Sequence, residues 1–397
     1  MRAAVRDLSR EVAHAGARDP APRAGRRAAH RQGALEAGQT LLGGGGRPGA
    51  GRSSRGRTRL AAAAARRGGR CMTMAALPVI DAAALVAGDP SARRALHAAS
   101  RDVGTFRLAG MPFRRDAVSL ARRLFALDAA ARQQLDIARS AHFRGFSVMH
   151  NERDWREQIH FARERPARAA GQPWHRLEGP NLWPPDPALR CDVQALLRGA
   201  EDIGRLLLAS LAQAIGASPD AFGAASDDAY TLLKLIRYHA QPDGGERRRG
   251  VAAHCDFSWL TLLFQDDIGG LQVLDRGVRW IDVPAAPELV VVNIGELLQF
   301  ATWGDLFAAP HRVVNPSRSR ERLSVPVFIN PPLAHTIRRV GRQPAAPSWP
   351  DPAHIHRVLP LAQVADAGVE HLHFGASEWR RKGENIWCAE CCAAAPG

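Results

Sequence analysis

The sequence predicts a mixed α/β, mainly β protein with an antiparallel barrel or jelly roll at its centre and helices flanking it on the N-terminal side. Two observations carry this. The second half holds a series of short β-type runs, TLLKLIRYH, LQVLD, RWIDV, LVVVNIG, HRVVN and RLSVPVFIN, with turn signals between them and few helical patterns. Before them lies one long helical pattern from Asp186 to Ser218, in which Val193, Leu196, Leu197, Ile203, Leu206, Leu207, Leu211 and Ile215 recur at three and four. At 46% hydrophobic, the 397 residues suffice for one large core or two ordinary ones.

In chain order, residues 1–71 are rich in Ala, Gly and Arg, with 16 arginines, no lysine and four acids, so most of the formal +15 charge belongs to them. They lack a sustained period of large apolar residues and are expected not to fold alone. A nucleic-acid-binding tail, a transit-like peptide and a start codon placed too early compete here. The last, with the chain beginning at Met72 or Met74, is preferred. Residues 72–185 form an N-terminal region: LPVIDAAAL as strand and turn, a helix over Ala92–Val103, GTFRLAG as strand, and one amphipathic helix over Asp116–Leu135. Phe143–Pro185 is expected to be an irregular, binding-type loop region with Trp155, Trp174 and Trp183. The barrel and its buttressing helix occupy 186–335, and 336–397 are expected to cover it.

Function centres on Val251–Asp275, read as a strand ended by a turn at Asp266, Asp267, Gly269 and Gly270. His254 and Asp256, two positions apart, would leave such a strand on one face. His311 in PHRVVNP is the natural third ligand. Two imidazoles and one carboxylate on one face of an ion form the facial triad that suits Fe(II) and leaves open positions. The HxD pair alone is a weak signal.

Around it stand TLLFQDD, GGLQVLD, LVVVNIGELLQ, HRVVNP and ERLSVPVFINP, and upstream PVID and GTFRLAG. In this order they resemble the isopenicillin N synthase-like family of 2-oxoglutarate/Fe(II)-dependent dioxygenases. The resemblance implies a double-stranded β-helix, Fe(II), 2-oxoglutarate and O2, and oxidation of a small organic molecule with release of succinate and CO2. It assigns His254, Asp256 and His311 to the metal. Arg322 and Ser324, two apart on one strand face, offer a guanidinium fork and a hydroxyl to the far carboxylate of 2-oxoglutarate. Tyr238 would add a donor, although the family's N-Y-Y-P reads Ile236, Arg237, Tyr238, His239. Phe328, with Phe143 and Arg144, is expected at the substrate. Rival readings are an Fe(II) oxidase of this fold without 2-oxoglutarate, an ethylene-forming enzyme, and a nucleic-acid-binding protein acting through the basic leader.

Six cysteines show no secreted disulfide framework, which suits a reducing, cytoplasmic compartment; the protein is also expected to be a monomer acting on a small molecule, with no membrane and no nucleic-acid partner. Cys255 is expected in the core. CAECC would need two further ligands to hold zinc.

Overall fold

The computed structural model describes residues 77–111, 114–151, 154–168, 171–223, 227–240, 250–276, 279–341 and 371–379. The basic leader, the PAAPSWPDP connection and CAECC lie outside these residues. None of the described helices is long and apolar enough to cross a membrane.

Alternation of the chain between two sheets builds the barrel. From Leu232 onward come β5 (Leu232–Tyr238), β6 (Val251–His254), β7 (Leu260–Gln265), β8 (Leu271–Leu274), β9 (Trp280–Val283), β10 (Val290–Ile294), β11 (His311–Val313) and β12 (Arg322–Ile329). β6, β11, β8 and β9 form a four-stranded sheet in that order. The other four lie in an eight-stranded sheet, extended by β1 (Val79–Asp81), β2 (Thr105–Ala109), β3 (Gly145–His150) and β4 (Trp155–Ala162), in the order β1, β2, β10, β7, β12, β5, β4, β3. This is the expected jelly roll. β13 (Thr336–Arg338) and β14 (His371–His373) pair separately.

The large sheet has two different faces because side chains alternate along its strands. Ile159, Phe161, Leu233, Leu235, Leu262, Phe264, Val325 and Val327 point away from the barrel and share one apolar cluster with the helices. Those helices include α2 (Pro90–Asp102), α3 (Arg114–Phe125) and α5 (Pro187–Ala214); α1 is Ala82–Val86 and α4 is Ala129–Gln134. Pro187 and the Asp186 carboxylate, which accepts from Ala188 N, start α5. At Gly204 α5 sits so close that a Cβ would lie 2.9 Å from Ile329 Cγ1 on β12. The inner face is mixed. Ile236, Tyr238, Leu263 and Val291 meet Val251, Leu271, Val273, Val283 and Val313 of the small sheet in a second apolar cluster, and polar residues fill the rest.

Three expectations change. The helix expected over Asp116–Leu135 is two, because the Asp128 carboxylate accepts from Ala131 N at 2.8 Å and caps a new helix. The irregular region from Phe143 includes the β3–β4 hairpin, whose polar inner face gave it the composition of a loop. The run from Val251 is not one strand: it leaves the small sheet after His254 and enters the large one at Leu260.

Candidate metal centre and co-substrate site

That crossing positions the first two candidate ligands. His254 ends β6, and Asp256 lies in the link to β7, held from behind by the start of α6 (Glu296–Ala301). Glu296 N donates to Asp256 O at 2.8 Å, Gly295 N to Trp259 O at 2.9 Å and Leu297 N to Ser258 O at 3.2 Å. Glycine is required at 295, since a Cβ there would stand 1.9 Å from Ser258 O. His311 opens β11 and pairs directly with His254 across the small sheet.

His254, Asp256 and His311 therefore converge, with one ligand-type atom from each lying within 4.8 Å of the others. His254 Nε2 is 3.5 Å from Asp256 Oδ1, and His311 Nε2 is 3.5 Å from Asp256 Oδ2. Behind each ring, Nδ1 lies near the carbonyl two residues earlier, Ala252 O at 2.9 Å and Ala309 O at 3.1 Å. A carbonyl can only accept, so both rings carry their proton on Nδ1 and present a lone pair at Nε2, as a metal requires. Burial drives the Asp256 carboxyl up, but His311 and then His254 outweigh it and hold the carboxyl well below the usual range. Burial lowers His311 while Asp256 and the Ala309 carbonyl raise it, with a net rise. A buried anion between two neutral nitrogen donors fits Fe(II).

The predicted anchor residues assemble on the inner face of the large sheet. Arg322 pairs with Tyr238, and Ser324 with Ile236 and Gln265. Ser324 Oγ donates to Tyr238 Oη at 3.4 Å. Arg322 is fully buried; Nε donates to Gly269 O and Nη2 to Gln265 Oε1 at 3.2 Å, and the guanidinium lies 4.9 Å over the Tyr238 ring. Its Nη1 is buried with no hydrogen-bond partner among the described residues. A carboxylate arriving there would satisfy it, so these residues fit 2-oxoglutarate. Gly269 and Gly270, at φ +81° and +86°, make the predicted turn and aim the Gly269 carbonyl at Arg322.

Phe328 shares the Arg322 and Ser324 face, level with Thr261 of β7. Phe143, at φ +59°, meets the Trp379 ring edge-on at 6.1 Å. Arg144 is buried and gives both Nη groups to carbonyls, His142 O and Leu177 O, each at 2.6 Å. Trp174 and Trp183 pack against the core, Trp183 stacked on Phe161. Cys255 Sγ meets Ala308 O at 3.3 Å, away from its neighbours' site. Sequence reasoning passed over Asn293 of β10, whose Nδ2 reaches both Asp256 and His311 at 3.5 Å and whose Oδ1 accepts from Thr105 Oγ1 at 3.1 Å. The available signal was an amide inside an all-aliphatic run, VVVNI. It also passed over Gln265.

Comparison with known proteins agrees with this geometry. Residues 229–331 match the 2OG-Fe(II) oxygenase superfamily, and 77–186 match the family described as non-haem dioxygenase in morphine synthesis, N-terminal; together they span more than half of the chain. A 2-oxoglutarate-Fe(II) type oxidoreductase of Emericella nidulans is 27% identical over 308 residues, covering 70% of this chain and 87% of the relative. A homoarginine-6-hydroxylase of Glycine max is 29% identical over 280 residues, 64% of this chain and 84% of the relative. The crystal structure of a 2OG-Fe(II) oxygenase family protein from Caulobacter crescentus superposes with a TM-score of 0.62 at 25% identity, covering 78% of this chain and 99% of that one. The chain belongs to the 2OG-Fe(II) oxygenase superfamily. Its activity is that of a 2-oxoglutarate-dependent dioxygenase, with Fe(II), 2-oxoglutarate and O2 as its reagents.

Proposed function

We propose that His254, Asp256 and His311 hold Fe(II), that Arg322, Ser324 and Tyr238 bind the far carboxylate of 2-oxoglutarate, and that the reaction hydroxylates or desaturates a small organic molecule. The observation that carries this is the pairing of two imidazoles whose Nδ1 protons are committed to carbonyls with a buried carboxylate between their Nε2 atoms. Held there, Fe(II) would activate O2 with electrons from the oxidative decarboxylation of 2-oxoglutarate, and so supply the oxidising power for an unactivated C–H bond. The protein's own part is to orient and to keep dry. Asp256 leaves one positive charge on the centre, which favours an anionic 2-oxoacid. Arg322, fixed by Gly269 and Gln265, holds Nη1 ready for the carboxylate, and Ser324 and Tyr238 add hydroxyls. The relative named for homoarginine 6-hydroxylation supports a small-molecule substrate and hydroxylation as the outcome.

In this reading residues 72–185 and 186–335 work as N-terminal region and catalytic core, with a C-terminal cover from 336, in a cytoplasmic monomer without a nucleic-acid partner. The free thiols of Cys191 and Cys255 suit a reducing compartment. Succinate release from 2-oxoglutarate tests the assignment. His254→Ala and Asp256→Ala are each expected to eliminate it, and unchanged turnover in either folded variant refutes the triad.

A further inference from the structure

Between α5 and the outer face of the large sheet lies a cavity of about 20 Å3. Glu201 of α5, Trp259 just before β7 and Asn330 just after β12 all line it, at 3%, 2% and 5% exposure. Each of the three buries one side-chain atom, Glu201 Oε1, Trp259 Nε1 and Asn330 Oδ1, that has no hydrogen-bond partner among the described residues. We propose that this cavity binds one internal water molecule, which accepts from Trp259 Nε1 and donates to Glu201 Oε1 and Asn330 Oδ1. It ties α5 to the link that carries Asp256 and to the end of β12.

The local sequence brings the three groups together. Glu201, Arg205 and Leu208 recur at four and three along α5 and share the face that lines the cavity. Gly204 lies among them without a Cβ, and the helix comes so close that a Cβ there would stand 2.9 Å from Ile329. That approach carries the Glu201 carboxylate to the strands. On the sheet, Trp259 N donates to Ile329 O at 2.9 Å, which places Trp259 next to Asn330, the residue after β12. The Phe222 ring packs on the indole, with centroids 5.6 Å apart.

What the rest of each side chain does fixes the role left to the buried atom. Glu201 Oε2 accepts from Arg163 Nη2 at 3.0 Å, while the Arg205 guanidinium is committed to Asp202. Asn330 Nδ2 donates to Tyr230 O at 2.9 Å; a carbonyl only accepts, so the amide cannot be turned round and Oδ1 remains an acceptor. An indole N–H only donates. The site therefore offers two acceptors and one donor.

Water alone matches that set, because it donates twice and accepts as well. Ammonium has no lone pair for the indole, chloride has no proton for the carboxylate or the amide, and a metal cation is repelled by the N–H. Size agrees: one water needs roughly 10–15 Å3 of such space and two to four polar partners. Met by one water, none of the three groups bears the desolvation that an unmet buried group carries.

The water stands behind the metal centre. The Trp259 carbonyl accepts from Gly295 N at 2.9 Å, in the same set of bonds from the start of α6 that holds Asp256. The link from Asp256 to Trp259 is thus held by α6 through its backbone and by α5 through the water.

The test is a crystal structure of the full chain at a resolution that shows ordered water, from crystals grown without ammonium or metal salts; neither iron nor 2-oxoglutarate is needed. One water is expected within about 2.7–3.2 Å of Glu201 Oε1, Trp259 Nε1 and Asn330 Oδ1. In solution, oxygen-17 magnetic relaxation dispersion counts long-lived internal waters, and Glu201→Met is expected to lower the wild-type count by one with its circular dichroism unchanged. A dry cavity, a water that does not reach all three atoms, a direct bond between any two of them, or a peak that appears only when ammonium or a metal salt is added overturns the proposal. So does an equal count of internal waters in wild type and folded Glu201→Met. The crystallographic arm needs no variant and decides the matter if Glu201→Met does not fold.

Discussion

Asn293 Nδ2 stands 3.5 Å from both Asp256 Oδ2 and His311 Nε2, so one buried amide spans two of the three candidate ligands. Thr105 Oγ1, from a strand laid down almost two hundred residues earlier, donates to its Oδ1 and fixes which end faces the metal. Partners of this kind typically set metal affinity by about 10- to 100-fold. Asn293→Ala is expected to weaken Fe(II) binding by that order, measured by anaerobic titration, and Thr105→Val to weaken it less. Unchanged affinity in Asn293→Ala would show the amide to be packing only.

The metal-free protein should respond to pH in two directions. His311 is raised above its ordinary value of about 6.5, so it contributes stability at lower pH that is lost as pH rises through its folded value. Asp256 is depressed, so its contribution is present above about pH 4 and lost as pH falls through its lowered value. Iron competes with the His311 proton. The thermal midpoint without metal is therefore expected to fall on raising the pH from 6 to 8, while the increment added by Fe(II) grows. An increment that shrinks over the same interval contradicts the assignment.

Arg322 is tied by Nε and Nη2 and leaves Nη1 for a ligand. A hydrogen bond to a charged group contributes about 1.5–3 kcal/mol, so Arg322→Met is expected to raise KM for 2-oxoglutarate at least tenfold. Arg322→Lys should restore little, because an ammonium cannot reach Gly269 and Gln265 and the ligand together.

Much of this architecture was legible because the motifs lie where geometry is strict. His254, Asp256 and His311 needed only residue type and order, and Arg322 with Ser324 needed only the two-residue period of a strand. What escaped depends on faces that the sequence shows ambiguously. The strand Trp155–Ala162 reads as loop because its polar side looks into the barrel rather than out to water, reversing the usual rule. Asn293 escaped for a related reason: it is one polar residue in an aliphatic run, and only register across several chain-distant strands shows what it faces. Asp256 departs in another way. It shares a side with His254 because α6 amides hold the crossing, not because one strand continues.

Packing behind the site rests on one small residue. A side chain at Gly204 meets Ile329 at 2.9 Å, on the strand that carries Arg322 and Ser324. Gly204→Val is expected to destabilise the protein by about 1–3 kcal/mol through overpacking, measured by denaturant unfolding, despite the higher helix propensity of valine. A stability gain would mean that α5 can move off β12 without cost.

The central claim is that one pocket holds iron and 2-oxoglutarate together, and absorption spectroscopy reads this directly. Adding 2-oxoglutarate anaerobically to the Fe(II)-loaded protein is expected to produce a weak visible metal-to-ligand band, absent from His254→Ala and shifted to higher 2-oxoglutarate concentration in Arg322→Met. A folded, iron-loaded wild type that shows no such band at saturating 2-oxoglutarate contradicts the account.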